Sequence, residues 1–116
     1  MSGLVQDAPP PAPAKASLVS ANGEAAAAVF KRAMDPKVSR SRRRELTLIH
    51  AQHVGIGQAL VGAAIDEASR KLPEAVAELG VVTAEAKKSA RDIAAHAKII
   101  TASAAALGAI AALLVL

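Results

Sequence analysis

The chain has 116 residues, which suits one small domain and excludes a multidomain enzyme. Hydrophobic residues make up 53% of it, but about half of these are alanine and Phe30 is the only aromatic. Good helix formers outnumber strand formers, so the composition predicts an all-α fold. Without cysteine, the chain can form neither a disulfide nor a thiolate metal site. A formal charge of +4 favours an anionic partner.

Prolines divide the chain into regions. Residues 1–22 hold four of the six prolines among Ala, Ser and Lys, a composition that predicts a disordered tail. Asp7 and the prolines stand where a secretory signal needs basic and apolar residues, so we expect the N-terminus to stay in the cytoplasm.

Helix signals follow this tail. Asn22 is suited to cap a first helix over 23–34, and Asp35 with Pro36 is suited to open a second that reaches residue 71. Pro73 then opens a third, and no strong breaker follows it, so this helix is predicted to run to residue 116. The prediction is two or three helices, with a helical basic and amphipathic region at 23–72 and a juxtamembrane helix at 73–98.

The last 18 residues, 99–116, carry no charge, and Thr101 and Ser103 are the only polar side chains. As a helix they span about 27 Å, close to the hydrocarbon thickness of a bilayer. The segment predicts a C-terminal transmembrane anchor; the alternative is a helix buried in a soluble core. Basic residues precede the span and none follows it, which predicts a single-pass protein with its bulk in the cytoplasm.

Residues 46–65 are a second uncharged segment, but His50, Gln52, His53 and Gln58 make it a poor span. A two-span hairpin would also place basic segments on opposite sides of the membrane, against the positive-inside tendency. We therefore interpret residues 46–65 as an amphipathic helix on the membrane or against a partner.

A heptad pattern runs from the juxtamembrane helix into the apolar segment and predicts a coiled-coil seam. Small residues in the apolar segment add a small-xxx-small face for close approach of membrane helices. An alanine-rich helix also matches such patterns by chance. The predicted helix–helix interface comprises Leu72, Leu79, Ile93, Ile100, Ala104, Leu107, Gly108, Ala112 and Leu114.

The densest charge lies in residues 31–44. Such a segment can bind phosphates of lipid headgroups or nucleic acid, or remain solvated. With a membrane anchor nearby, anionic lipid headgroups are the favoured partner, and the lack of aromatics argues against nucleic-acid recognition by base stacking. The predicted contacts to an anionic surface are Lys31, Arg32, Lys37, Arg40, Arg42, Arg43 and Arg44.

Candidate chemistry is sparse. His50 and His53 share a helix face in ligand geometry, but no third ligand is evident, so we interpret them as interfacial polar residues and predict no metal or cofactor. No nucleophile with a base, no carboxylate pair and no phosphate-binding loop is recognisable, which argues against an enzyme. The glycines of GIGQALVG follow no strand and suit close helix packing instead.

These observations together predict a small membrane protein anchored by its C-terminal helix. It would act by helix association, as a homo-oligomer or as an accessory subunit or assembly factor of a larger membrane complex. One alternative is an oligomeric pore-forming protein of the lysis (holin-like) type. Another is a soluble helical scaffold or nucleic-acid-binding oligomer in which the C-terminal helix is buried.

Overall fold

A computed structural model describes residues 14–114 of the chain and contains four α-helices and no strand in that range. The helices are α1 (Lys15–Ala33), α2 (Arg40–Gly62), α3 (Lys71–Ala86) and α4 (Ile93–Leu114). The all-α prediction is confirmed, although the helices number four rather than two or three. Residues 1–13 of the predicted tail lie outside the described residues, as do residues 115–116.

The helices pack as a bundle in which α1 contacts α2 and α3, and α4 contacts α3 and α2. Contacts near the helix ends fix the directions: Lys15 at the start of α1 meets Val61 at the end of α2, whereas His96 near the start of α4 meets Glu45 near the start of α2. Consequently α1 runs antiparallel to α2, and α2 runs parallel to α4. The core side chains are mostly leucine, valine, isoleucine and alanine, among them Leu18, Val29, Leu46, Leu60, Leu72, Leu79, Val82, Ile99, Ile110 and Leu113.

Helix α1 begins at Lys15, inside the segment predicted to be disordered, so the tail prediction is wrong for residues 15–22. No proline follows Pro13 in this stretch, and Leu18 is completely buried in the core. The backbone N–H of Lys15 donates to Glu67 Oε2 over 2.7 Å, and its ammonium donates to the carbonyls of Val61 and Ala63. These contacts hold the start of α1 against the end of α2.

The connection between α1 and α2 is longer than the sequence predicts. Asp35 forms a turn, with its Oδ1 accepting from the N–H of Lys37 at 2.9 Å and its carbonyl accepting from Val38 at 3.1 Å. Ser39, rather than Asp35, caps α2, because its Oγ accepts from the N–H of Arg42 at 3.3 Å. A turn formed by the aspartate side chain therefore replaces the predicted first helical turn after Pro36.

Helix α2 ends at Gly62 instead of continuing to residue 71. The connection at 63–70 has its own side-chain turns, in which Asp66 Oδ1 accepts from the N–H of Ala68 and Ser69 Oγ accepts from that of Lys71. Pro73 lies in the first turn of α3, where a missing backbone donor costs nothing.

The predicted continuous helix from Pro73 to the end of the chain is divided at residues 87–92. Ser89 Oγ accepts from the N–H of Arg91 at 3.3 Å, and the carbonyl of Ser89 accepts from Asp92 at 2.9 Å. Asp92 Oδ1 then accepts from the N–H of Ala95 at 3.0 Å, which is the geometry of a helix N-cap. Serine and aspartate thus end one helix and begin the next without any proline or glycine.

Candidate functional site

A buried polar network joins three helices at the middle of the bundle. His53 Nδ1 and Asn22 Oδ1 are 2.9 Å apart, and Asn22 Nδ2 donates to the carbonyl of His53 at 2.9 Å. On the other ring edge, His53 Nε2 lies 3.1 Å from Ser103 Oγ. All three residues are buried, and His53 is 0% exposed. The network connects α4 to the pair formed by α1 and α2.

Burial, together with the smaller effect of the neighbouring His50, lowers the pKa of His53 from 6.5 to about 4. The ring is therefore neutral at pH 7, with one nitrogen donating and the other accepting. Protonation would remove the acceptor and place a charge among buried groups. The network can therefore form inside the bundle only while His53 is neutral.

His53 has no ring nitrogen free to bind a metal. Both ring nitrogens of His53 have protein partners, and His50 Nδ1 lies 3.0 Å from the carbonyl of Ala26. The His50 ring also packs against Phe30, with centroids 5.0 Å apart. Within residues 14–114, no group of three or more His, Cys, Asp or Glu residues could hold a metal ion.

The network depends on a glycine, and this gives a direct prediction. A Cβ on Gly57 would lie 2.9 Å from Asn22 Nδ2, whereas one on Gly55 would meet nothing within 4 Å. Gly57→Ala is expected to lower the free energy of unfolding by about 1 kcal/mol or more, because Asn22 must shift from its buried partners. Gly55→Ala in the same helix is expected to raise it by about 0.5 to 1 kcal/mol. Urea unfolding measures both, and equal effects at the two positions would contradict the assignment.

Arg32 was predicted to contact an anionic surface, but it is 4% exposed and binds backbone carbonyls instead. One terminal nitrogen donates to Glu85 at 3.4 Å and Lys88 at 2.8 Å, and the other donates to Ser89 at 3.0 Å and Asp92 at 3.1 Å. Burial lowers the pKa of this guanidinium, which arginine tolerates without losing its charge. Arg32 therefore holds the break between α3 and α4, where helix-end carbonyls need donors.

Arg43 has a similar role at the end of α1. Its guanidinium donates to the carbonyls of Ala33 at 2.8 Å, Asp35 at 3.1 Å and Val38 at 3.4 Å. Unlike Arg32, Arg43 is half-buried, so part of its side chain is also open to solvent. The other predicted surface cations are exposed or half-buried: Lys31, Lys37, Arg40, Arg42 and Arg44.

Helix directions bring two basic segments to one end of the bundle. The end of α1, the start of α2, the end of α3 and the start of α4 all meet there. We call this the basic end. It carries ten of the 14 Lys and Arg residues: Lys31, Arg32, Lys37, Arg40, Arg42, Arg43, Arg44, Lys87, Lys88 and Arg91. Because residues 31–44 and 87–91 are far apart in the sequence, the sequence alone did not predict this concentration of charge.

Helix α4 is the only helix among the described residues that is long and apolar enough to cross a membrane. This statement rests on the length and composition of α4, and the core helix of a soluble protein meets the same criteria. In its most apolar 18-residue window, 39% of the residues are buried in the bundle. The remainder largely face outward.

The predicted interface residues divide between two environments. Leu72 and Leu79 are buried in the core, so their partner helices belong to the same chain. The others lie on or beside an exposed stripe of α4 that we call the outer face. It comprises Ile93, Ala97, Ile100, Thr101, Ala104, Gly108, Ala111 and Ala112, with Leu107 half-buried among them and Leu114 half-buried at the helix end. The break at 87–92 ends the seam that the heptads predict as continuous.

Asn22 and Ser103, two members of the buried polar network, were not predicted as site residues. The local sequence predicted Asn22 to cap a helix, whereas it lies within α1. Ser103 is one of two polar residues in an apolar segment. Their pairing with His53 depends on helix packing across long sequence separations. The available signal is a polar residue on the buried side of an otherwise apolar helix, which requires a partner.

Comparison with protein-family models, curated proteins and solved structures finds no match to this chain. Its function is therefore inferred from its own contacts, burial and charge.

Proposed function

We propose that this chain is a small, single-pass membrane protein that acts by helix–helix association, as an accessory subunit or assembly factor of a membrane complex. In this proposal α4 is the anchor and the bulk of the chain is cytoplasmic. The observation that carries the proposal is the outer face, an exposed apolar stripe on the most apolar helix.

The outer face has the features of a helix-binding surface. Ile93 is 66% exposed and Ile100 is 36% exposed, and both lie on the same stripe as small residues. Ala104, Gly108 and Ala112 are four residues apart, which allows a second helix to approach the α4 backbone closely. Beyond Ile100, Thr101 is the only polar residue on this stripe.

Crossing a bilayer would require α4 to leave its place in the bundle. Its neighbour α3 carries Lys71, Glu74 and Glu78, which cannot enter hydrocarbon at low cost. The connection at 87–92 is the natural hinge, because it joins α4 to the basic end. Rotation about this connection would direct α4 into the membrane and leave the basic end beside the lipid headgroups. This arrangement agrees with the positive-inside tendency.

A second candidate is a soluble helical oligomer, favoured by the role of α4 in the core. Ile99, Ile110 and Leu113 are buried, and Ser103 bonds to His53. Association of two or more bundles through the outer face would then cover the exposed apolar stripe. The two candidates share this surface and differ in whether α4 enters lipid.

The role of Gly108 is tested by placing a large side chain on the outer face. A Cβ on Gly108 meets nothing within 4 Å, so Gly108→Leu is expected to leave the bundle intact. The close approach of a partner helix would be blocked, and we expect the oligomer or the co-purified partner to be reduced at least roughly tenfold. Chemical cross-linking in membranes and mild-detergent co-purification measure this effect.

Gly80→Leu is the matched control. Gly80 lies on the exposed side of α3, and a Cβ there also meets nothing within 4 Å. This variant is expected to associate like the wild type. If Gly108→Leu assembles as well as Gly80→Leu does, the outer face is not the association surface.

A further inference from the structure

Within the basic end, a cleft of roughly 330 Å³ opens between the C-terminal parts of α1 and α3. Four cationic residues line it, two from each helix end: Lys31, Arg32, Lys87 and Lys88. Among residues 14–114, Asp35 is the only acidic residue that lines it. The positive charge of the cleft therefore exceeds its negative charge, and this excess favours an anionic ligand.

Two of these cations are available to a ligand. Lys88 is paired with Glu85 over 2.8 Å, and the hydrogen bond that its ammonium donates to the Glu85 carboxylate raises the pKa of Lys88. In contrast, neither Lys31 nor Lys87 makes an ion pair within residues 14–114. Each of these ammonium groups has three donors and no acceptor, so an anion between them would satisfy both charge and hydrogen bonding.

Arg32 supplies an independent indication of a ligand. Its terminal nitrogens are occupied by backbone carbonyls, but its Nε–H is buried and has no partner among the described residues. The residue is more than nine-tenths buried and lines the cleft. A buried charged group with an unpaired donor costs free energy, and the negative charge of an anion in the cleft would lower that cost.

We propose that this cleft binds a phosphate group, carried either by a lipid headgroup or by a soluble phosphorylated molecule. Lys31 and Lys87 bind the phosphate oxygens, and the buried Arg32 guanidinium adds positive charge at the base. A neighbouring cavity of roughly 360 Å³, lined by Glu24 and Thr83 and sharing Lys31 and Lys87, provides space and polar groups for the rest of the ligand. All these residues lie on α1 and on α3 or its C-terminal end, so the site does not require α4 to cross a bilayer.

The test compares two charge-matched variants of the full chain. The cleft variant is Lys31→Gln with Lys87→Gln; the control is Lys37→Gln with Arg40→Gln, which removes the same charge from exposed positions of the basic end outside the cleft. One arm titrates inorganic phosphate and glycerol 3-phosphate and follows binding by NMR shifts at low salt. The other measures binding to phosphatidylcholine vesicles with and without phosphatidylglycerol.

The cleft variant is expected to lose affinity by at least roughly tenfold, and the control by less than about threefold. A cleft-specific loss for the soluble phosphates assigns a soluble ligand, and one confined to phosphatidylglycerol vesicles assigns a lipid headgroup. Equal losses in the two variants, or no probe bound through the cleft, would overturn the proposal. The membrane anchor is tested by resistance to carbonate washing, which depends on α4 and not on the cleft. Failure of the anchor proposal and failure of the cleft proposal are therefore distinguishable.

Discussion

Replacing Arg32 with methionine is expected to lower the free energy of unfolding by at least about 3 kcal/mol. The reason is that one guanidinium serves the carbonyls of Glu85, Lys88, Ser89 and Asp92, which are part-buried or buried. Methionine keeps much of the side-chain volume but donates no hydrogen bond. Urea unfolding followed by circular dichroism measures the change.

Arg44→Met is the control, since Arg44 is exposed on α2 and makes no side-chain hydrogen bond or ion pair in the described range. Its effect is expected to stay within about 0.5 kcal/mol. Because Arg32 also holds the break between α3 and α4, Arg32→Met should increase the fraction of chain in membranes if α4 leaves the bundle. Similar unfolding for the two variants would mean that Arg32 is not a structural residue.

Acidification from pH 7.5 to pH 5 is expected to destabilise the bundle by about 2 kcal/mol through His53 alone. The folded-state pKa of about 4 lies below the ordinary value of 6.5. Between these two values the unfolded chain binds the proton and the bundle does not, so stability falls as the pH falls through this range. Above pH 6.5 both forms are neutral and this contribution is fully present.

The histidines provide a matched pair for this test. His53→Gln keeps polar atoms near Asn22 and Ser103 and should remove the acid sensitivity, although the variant is less stable at pH 7.5. His50→Gln should retain the sensitivity, since His50 is half-buried and lies outside the network. Unfolding midpoints in urea at pH 7.5, 6 and 5 separate these outcomes. Equal pH dependence in wild type and His53→Gln would refute the role of His53.

The predictable part of the fold follows local rules. Alanine-rich, strand-poor composition predicts helices, and the apolar run at the chain end identifies α4. The errors arise where side-chain turns compete with helix, as at Asp35, Ser89 and Asp92. These side chains bond to backbone groups only two or three positions away. Aspartate and serine are weaker sequence signals for the end of a helix than proline or glycine.

The candidate site was harder to predict, because it depends on contacts between distant residues. The sequence marks the charge of 31–44 but not the burial of Arg32, which requires the end of α3 as its partner. The sequence also shows that His53 is a polar residue on an amphipathic helix, but it does not predict the hydrogen bonds of His53 to Asn22 and Ser103. The meeting of 31–44 with 87–91 needs the helix directions, which local patterns do not specify.

Entry of α4 into the membrane is tested by placing charge on its outer face. Truncation before α4 is a poor test, since it removes core residues such as Ile99 and Ile110. Ala104→Lys with Ala111→Lys instead places two lysines at exposed positions, where the bundle tolerates them. In a transmembrane helix each would cost about 2.5 to 3.5 kcal/mol near the centre. Ala77→Lys with Ala84→Lys places the same charges, at the same spacing, on the exposed side of α3.

The measurement is the fraction of each protein that remains in the membrane pellet after alkaline carbonate washing. Membrane insertion of α4 predicts that the wild type and the α3 variant stay in the pellet, and that the α4 variant is released as a folded helical protein. Release of the wild type, or retention of the α4 variant at the level of the wild type, would contradict it. Release of a folded, oligomeric wild type would favour the soluble helical oligomer.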